Sequence, residues 1–148
     1  MQLALAQAQL AADMDEVPVG AVLVCEDGQV FTAHNAPIQK HDATCHAEIE
    51  VMRKASAAIG NYRLLNSTLY VTLEPCLMCA GAIIHARVGT VVYGADDSKT
   101  GAVVSLYQTL SDTRLNHQPQ IISGILQDEC SAQLRNFFKA KRLKKKNN

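Results

Sequence analysis

Residues 68–79 read TLYVTLEPCLMC, and this stretch decides the fold. Thr68–Thr72 is a β-rich, uncharged run of a length that suits a short buried strand. Pro75 follows, and proline suits the first helical turn, where its missing N–H has no partner to lose. Residues 76–87 continue as a helix-compatible run. Upstream, residues 2–14 place Leu3, Leu5, Ala6, Leu10 and Met14 at roughly helical spacing, and Pro18 ends that helix. Val19–Cys25 and Gln29–His34 are β-rich, and Glu26-Asp27-Gly28 between them carries the residues of a tight hairpin turn. A helix-compatible run from Cys45 to Ala58 has N-cap oxygens available on Asp42 and Thr44 and is closed by Gly60-Asn61. Downstream, Thr90–Tyr93 reads as a strand, 96–101 as a polar loop and Ile121–Ile125 as a last strand. Glu129–Arg142 reads as a last helix with Leu134, Phe137 and Phe138 on its apolar side. Helix, hairpin, then alternating helices and strands predict an α/β fold. Its mixed five-stranded sheet starts antiparallel, continues parallel and is covered on both faces, a three-layer α/β/α sandwich. No repeat or linker interrupts the chain, so one domain over 1–148 is expected, with a basic C-terminal helix and tail from about residue 129.

Composition narrows the function classes. At 48% hydrophobic and 19% charged, the chain can bury a core and is not of the disordered class. No apolar run approaches the ~18 residues of a membrane span. The opening MQLALAQAQLAA lacks a basic leading segment and is interrupted by Gln2, Gln7 and Gln9, so export is not expected. Five cysteines are an odd number, which disfavours a disulfide framework and points to metal binding or plain burial. The zero formal charge hides a split. All 14 acidic residues and seven of the 14 basic ones precede Arg135, leaving −7 on residues 1–134 and +7 on 135–148. Such a segment is either an arm that meets a polyanion or a solvated lysine tail.

Two short segments carry chemistry: His46-Ala47-Glu48 and Pro75-Cys76-Leu77-Met78-Cys79. Cysteines three apart at a helix start share one edge, so both sulfurs reach one ion. A helix N-terminus also favours the thiolates that a metal requires. Two helices flanking a strand can bring their N-termini together, adding His46 to the pair. One nitrogen and two sulfurs suit Zn2+, and a fourth position left to water marks a catalytic site. The alternatives are a closed zinc site completed by Cys45 or another residue, and two unrelated buried cysteines. Glu48 projects roughly 200° from His46 on a regular helix and is therefore expected to carry protons rather than ligate. A zinc-activated water beside a carboxyl group suits hydrolytic deamination.

Together the two segments form the H-x-E…P-C-x-x-C signature of the zinc deaminases. More closely, the chain resembles the bacterial tRNA-specific adenosine deaminases. The likeness runs through Glu16-Val17-Pro18-Val19-Gly20-Ala21-Val22, His41-Asp42 with Thr44, and Asn61-Tyr62-Arg63-Leu64. It continues in Leu69-Tyr70-Val71-Thr72-Leu73-Glu74-Pro75-Cys76, Cys79-Ala80-Gly81-Ala82, Lys99-Thr100-Gly101-Ala102, Gly124-Ile125-Leu126, Asp128-Glu129-Cys130 and Phe137-Phe138. Almost the whole chain is covered, from about Leu3 to Arg142.

The resemblance implies a cytidine deaminase-like fold and conversion of the wobble adenosine of a tRNA anticodon to inosine by a cytoplasmic homodimer. It implies one Zn2+ per subunit on His46, Cys76 and Cys79, with Glu48 as proton shuttle. Asn35 matches a residue that hydrogen-bonds the flipped base, although an asparagine before Ala36-Pro37 also reads as a turn residue. Asp97 matches a contact to the nucleotide backbone, or else caps a turn. Lys99 either meets a phosphate or is solvated. Phe138, Lys141 and Arg142 match the region against the anticodon stem, and part of helix 80–88 matches a dimer interface. Asp96, Ala43 and Cys45 depart from the family pattern, in places that touch RNA contacts rather than zinc chemistry. Two rival readings share the scaffold: a deaminase of free bases or nucleosides, for which the basic C-terminal helix has no use, and a non-catalytic zinc-stabilised RNA-binding module.

Overall fold

The computed structural model describes all 148 residues. Helix α1 (Gln2–Asp13) buries Ala4, Ala8 and Ala11, small residues on one face that let it lie close against the sheet. Strands β1 (Gly20–Val24) and β2 (Val30–His34) form the expected hairpin, in register from Gly20↔His34 to Val24↔Val30. A short helix, α2 (Pro37–Lys40), follows with Pro37 in its first turn. Helix α3 (Ala47–Ile59) ends where the sequence predicts, at Gly60, whose φ of +69° is a left-handed cap that a side chain would strain. Then come β3 (Thr68–Leu73), α4 (Leu77–Ala86), β4 (Thr90–Ala95), a 3-10 turn Thr109–Ser111, β5 (Gln120–Ile122) and α5 (Gln127–Lys146).

The sheet order is β2-β1-β3-β4-β5. β1 pairs antiparallel with β2 and β3, whereas β3–β4 and β4–β5 are parallel. Helices α1 and α5 pack on one face, and α3 and α4 on the other, which makes the three layers predicted. Leu23, Leu69, Val71, Val91 and Ile83 are fully buried at the centre. Truncating Leu23, Leu69 or Ile83 to alanine costs about 2–5 kcal/mol.

The structure differs from the local expectations in four places. α2 was not predicted, because four residues are too few for a periodic signal. Asp42 and Thr44 do not cap α3: Asp42 Oδ1 accepts the Thr44 N–H and hydroxyl at 2.8 and 2.7 Å, an Asx turn that leads the chain toward the helix. β5 is shorter than expected, because the chain turns into α5 through Leu126 at φ +52°. α5 itself is longer. It starts at Gln127 and continues through Lys144, Lys145 and Lys146 instead of ending at Arg142. Lysine, arginine, leucine and alanine are strong helix formers, and cations are favourable at a helix C-terminus.

Candidate active site

The C-terminal end of β3 delivers the chain through Glu74-Pro75 into α4, whose N-cap is Cys76 in extended conformation (φ −75°, ψ 174°). His46 is likewise the extended N-cap of α3. Neighbours in one helical layer, α3 and α4 bring their N-termini together beyond the carboxyl end of β3, where open α/β sheets place their sites. His46 Nδ1 lies 3.5 Å from Cys76 Sγ and 3.6 Å from Cys79 Sγ, and the three donor atoms all fall within 4.8 Å of one another. Zinc bonds of about 2.0 Å to nitrogen and 2.3 Å to sulfur give a tetrahedron with N···S edges of about 3.6 Å. Both N···S distances match the edges of that tetrahedron, so this donor set is compatible with zinc.

Its electrostatics are those of a thiolate site. A hydrogen bond from Cys79 and the neighbouring His46 outweigh burial and hold the Cys76 thiol down at about 4. The same contact, with burial and Glu48 adding to it, pushes the Cys79 thiol up. His46 is raised chiefly by its hydrogen bond to Cys76. Glu48 is 4% exposed, in the first turn of α3, and burial pushes its carboxyl up to about 7. A group poised near neutrality can both accept and release a proton.

Cys45 does not join the cluster. Its sulfur lies 3.9 Å from Arg53 Nη1, and burial, with Glu50 and Asp42 adding to it, pushes its thiol up. Adjacent residues entering a helix point apart, which separates Cys45 from the ligand position that His46 takes.

Asn35 follows β2 directly and is 8% exposed. Its Oδ1 accepts the Ala47 N–H at 3.0 Å, so it caps α3 from a distance. The remaining predicted residues gather elsewhere. Asp97, Lys99, Phe138 and Arg142 line a cleft of about 870 Å³ between the 96–100 loop and α5. Asp97 shapes that loop itself: Oδ1 accepts the N–H groups of Lys99 and Thr100, and Oδ2 the Thr100 hydroxyl. Lys141 is outside the cleft lining, 2.5 Å from Asp15 Oδ2 and over the Phe137 ring at 5.5 Å.

Sequence reasoning did not single out Arg135 as a cleft residue, or Glu74 beneath the loop. Burial pushes the Glu74 carboxyl up, yet its hydrogen bonds from Ser105 and from loop N–H groups hold it below the ordinary carboxylate range. Its partners lie 23 to 31 residues downstream, so no local spacing marks it.

Comparison with known proteins agrees with this geometry. The family model described as MafB19-like deaminase matches residues 1–142. The tRNA-specific adenosine deaminase of Haemophilus influenzae is 48% identical over 147 residues, 99% of this chain and 85% of that protein. This chain belongs to the tRNA-specific adenosine deaminase family. A solved structure from work on A-to-I editing by tRNA:A34 deaminases at the wobble position superposes with a TM-score of 0.87 at 46% identity, covering 90% of this chain and 97% of that one. A guanine deaminase from Nitrosomonas europaea superposes at 0.79 with 20% identity, covering 92% and 81%, which extends the fold beyond the tRNA-specific adenosine deaminases. No helix is long and apolar enough to cross a membrane.

Proposed function

We propose that the chain is a zinc-dependent hydrolase that converts the wobble adenosine of a tRNA anticodon to inosine. The observation that carries this reading is the His46–Cys76–Cys79 triangle, one nitrogen and two sulfurs beside the buried carboxyl of Glu48. The family of A-to-I editing enzymes supplies the substrate class.

His46 Nδ1, Cys76 Sγ and Cys79 Sγ would hold one Zn2+ per subunit, and such an ion, when bound, lowers the pKa of a coordinated water to ~7. Glu48 receives the first proton of the attacking water and delivers it to adenine N1 as oxygen adds at C6. It then takes the second proton from that oxygen and delivers it to the amine, which departs as ammonia and leaves the C6 carbonyl of inosine. Asn35, with Oδ1 committed to Ala47, presents only its Nδ2 donor to the base. An anticodon loop is a suitable substrate because its bases are partly unstacked, so flipping costs only a few kcal/mol.

The cleft lined by Asp97, Lys99, Phe138 and Arg142 receives the neighbouring strand. Lys139, Lys141, Arg142 and Lys144–Lys146 on α5 neutralise phosphates and make binding salt-dependent. Lys141 contributes from a position set by Asp15. Residues 1–148 act as one domain. The enzyme works as a homodimer: Leu77 and Met78 are exposed on α4, beside a shallow apolar groove lined by Ile49, Met52, Tyr62, Ala82 and Ala86. Its place is the cytoplasm, with its tRNA.

The test is sequencing of an anticodon stem-loop after incubation with the protein, alongside ammonia release from free nucleosides. Adenosine read as guanosine only at the wobble position supports the reading. Ammonia from free nucleosides with an unchanged stem-loop contradicts it.

A further inference from the structure

Glu74 stands just past β3, two residues before Cys76, and is 2% exposed. A carboxylate taken out of water must find donors for its lone pairs. Every donor it finds belongs to one segment. Oε1 accepts the Asp97 N–H at 3.0 Å and the Ser105 hydroxyl at 2.5 Å. Oε2 accepts the N–H groups of Val103, Val104 and Ser105 at 3.0, 3.0 and 3.1 Å. Three successive amides on one oxygen form a backbone cup for an anion. Here the anion is the protein's own.

The same segment is tied to the Cys76 corner. Ala102 N–H donates to the Pro75 carbonyl at 2.8 Å, and Gly101 pairs with Cys76 in an isolated antiparallel bridge. Gly101 also presses on the carboxylate: a Cβ there would come within 2.4 Å of Glu74 Cδ and Oε2. One buried charge thus closes the 97–105 loop onto the residues that present Cys76.

We propose that Glu74 is a positioning residue: it fixes the loop carrying Asp97 and Lys99 against the Cys76 corner, and so sets the register of an RNA strand relative to the reacting base. What the loop binds rests on the functional reading above; how it is held does not. No neutral isostere replaces the carboxylate. A glutamine at 74 keeps one acceptor oxygen, and its NH2 then faces either the Asp97 N–H, with only the Ser105 hydroxyl able to turn and accept from it, or all three amides. An alanine at 101 attacks the same contact from the other side.

The experiment compares Glu74→Gln, Gly101→Ala and the double variant with the wild-type enzyme. It measures zinc per subunit, kcat and KM on an anticodon stem-loop, and exchange of the amides of Asp97 and Val103–Ser105. Expected are full zinc, kcat within about threefold, a KM raised about tenfold and faster exchange at those amides. The double variant is no worse than the worse single one, because both break one contact. Wild-type KM and exchange in either folded variant overturn the proposal, as does a fall in kcat larger than the rise in KM. Should Glu74→Gln not fold, Gly101→Ala decides by the same criteria. A wild-type enzyme that forms no inosine contradicts the functional reading instead, and the exchange measurement still decides whether Glu74 holds the loop.

Discussion

Asn35 Oδ1 accepts the Ala47 N–H at 3.0 Å, so the residue after β2 fixes the first turn of the helix that carries Glu48. The bond also decides which end of the side-chain amide is left for a base. Asn35→Asp keeps an oxygen for Ala47 but replaces the Nδ2 donor with an acceptor. Its melting temperature should stay within a few degrees of wild type, while kcat/KM on a stem-loop falls roughly 10- to 100-fold, the worth of one buried hydrogen bond to substrate. Asn35→Ala should lose activity similarly and, in addition, about 1 kcal/mol of stability with the cap. Equal activity in Asn35→Asp and wild type would limit Asn35 to capping.

Glu48→Ala removes the group that moves protons and leaves the three donor atoms in place. Zinc content should remain at one per subunit, and kcat should fall by about 10²–10⁴-fold. Loss of the metal in this variant would make Glu48 a structural support, and near-normal turnover would exclude it as the shuttle.

Cys45 and Cys76 test the ligand set by contrast. Cys45 contacts Arg53, whereas Cys76 Sγ lies 3.5 Å from His46 Nδ1. Cys45→Ala should keep full zinc and activity within about twofold, and Cys76→Ser should lose metal affinity and inosine formation together. Metal loss from Cys45→Ala would mean that the cysteine closes the site.

Glu50 gives a pH dependence with a defined sign. Burial pushes its carboxyl up, but hydrogen bonds from Lys40, Cys45 and Arg53 outweigh that and hold it below its ordinary value of 4.5. A carboxyl lowered in the folded state contributes stability that is present above 4.5 and lost as pH falls through the lowered value. Wild type should therefore melt above Glu50→Gln at pH 7 and at pH 5.5, and the gap should narrow as pH falls below 4.5. Metal loss in acid is common to both proteins and cancels in the difference. A gap that does not narrow at all as pH falls below 4.5 would show that the Lys40–Glu50–Arg53 cluster does not act through charge.

Much of this architecture is legible in the chain because its signals are local. Gly60 marks the end of α3, Glu26-Asp27-Gly28 marks the hairpin, and the Pro75-Cys76…Cys79 spacing marks both a helix start and a ligand pair. What escaped is set by partners far along the chain or by very short elements. α2 has four residues and no period to read. Glu74 meets Ser105 thirty-one residues later, and Lys141 meets Asp15 across 126 positions. Asp97 was readable as either a backbone contact or a turn cap. The turn role is visible in its bonds to Lys99 and Thr100, and its meeting with RNA remains part of the functional proposal.

The proposed chemistry needs a single metal bound by one imidazole and two thiolates, with a position left for water. Zinc-edge X-ray absorption on the active protein tests it most directly. One zinc per subunit is expected, with two sulfur neighbours at about 2.3 Å and two nitrogen or oxygen neighbours at about 2.0 Å. Three or four sulfur neighbours, or full inosine formation by protein free of zinc, would contradict it.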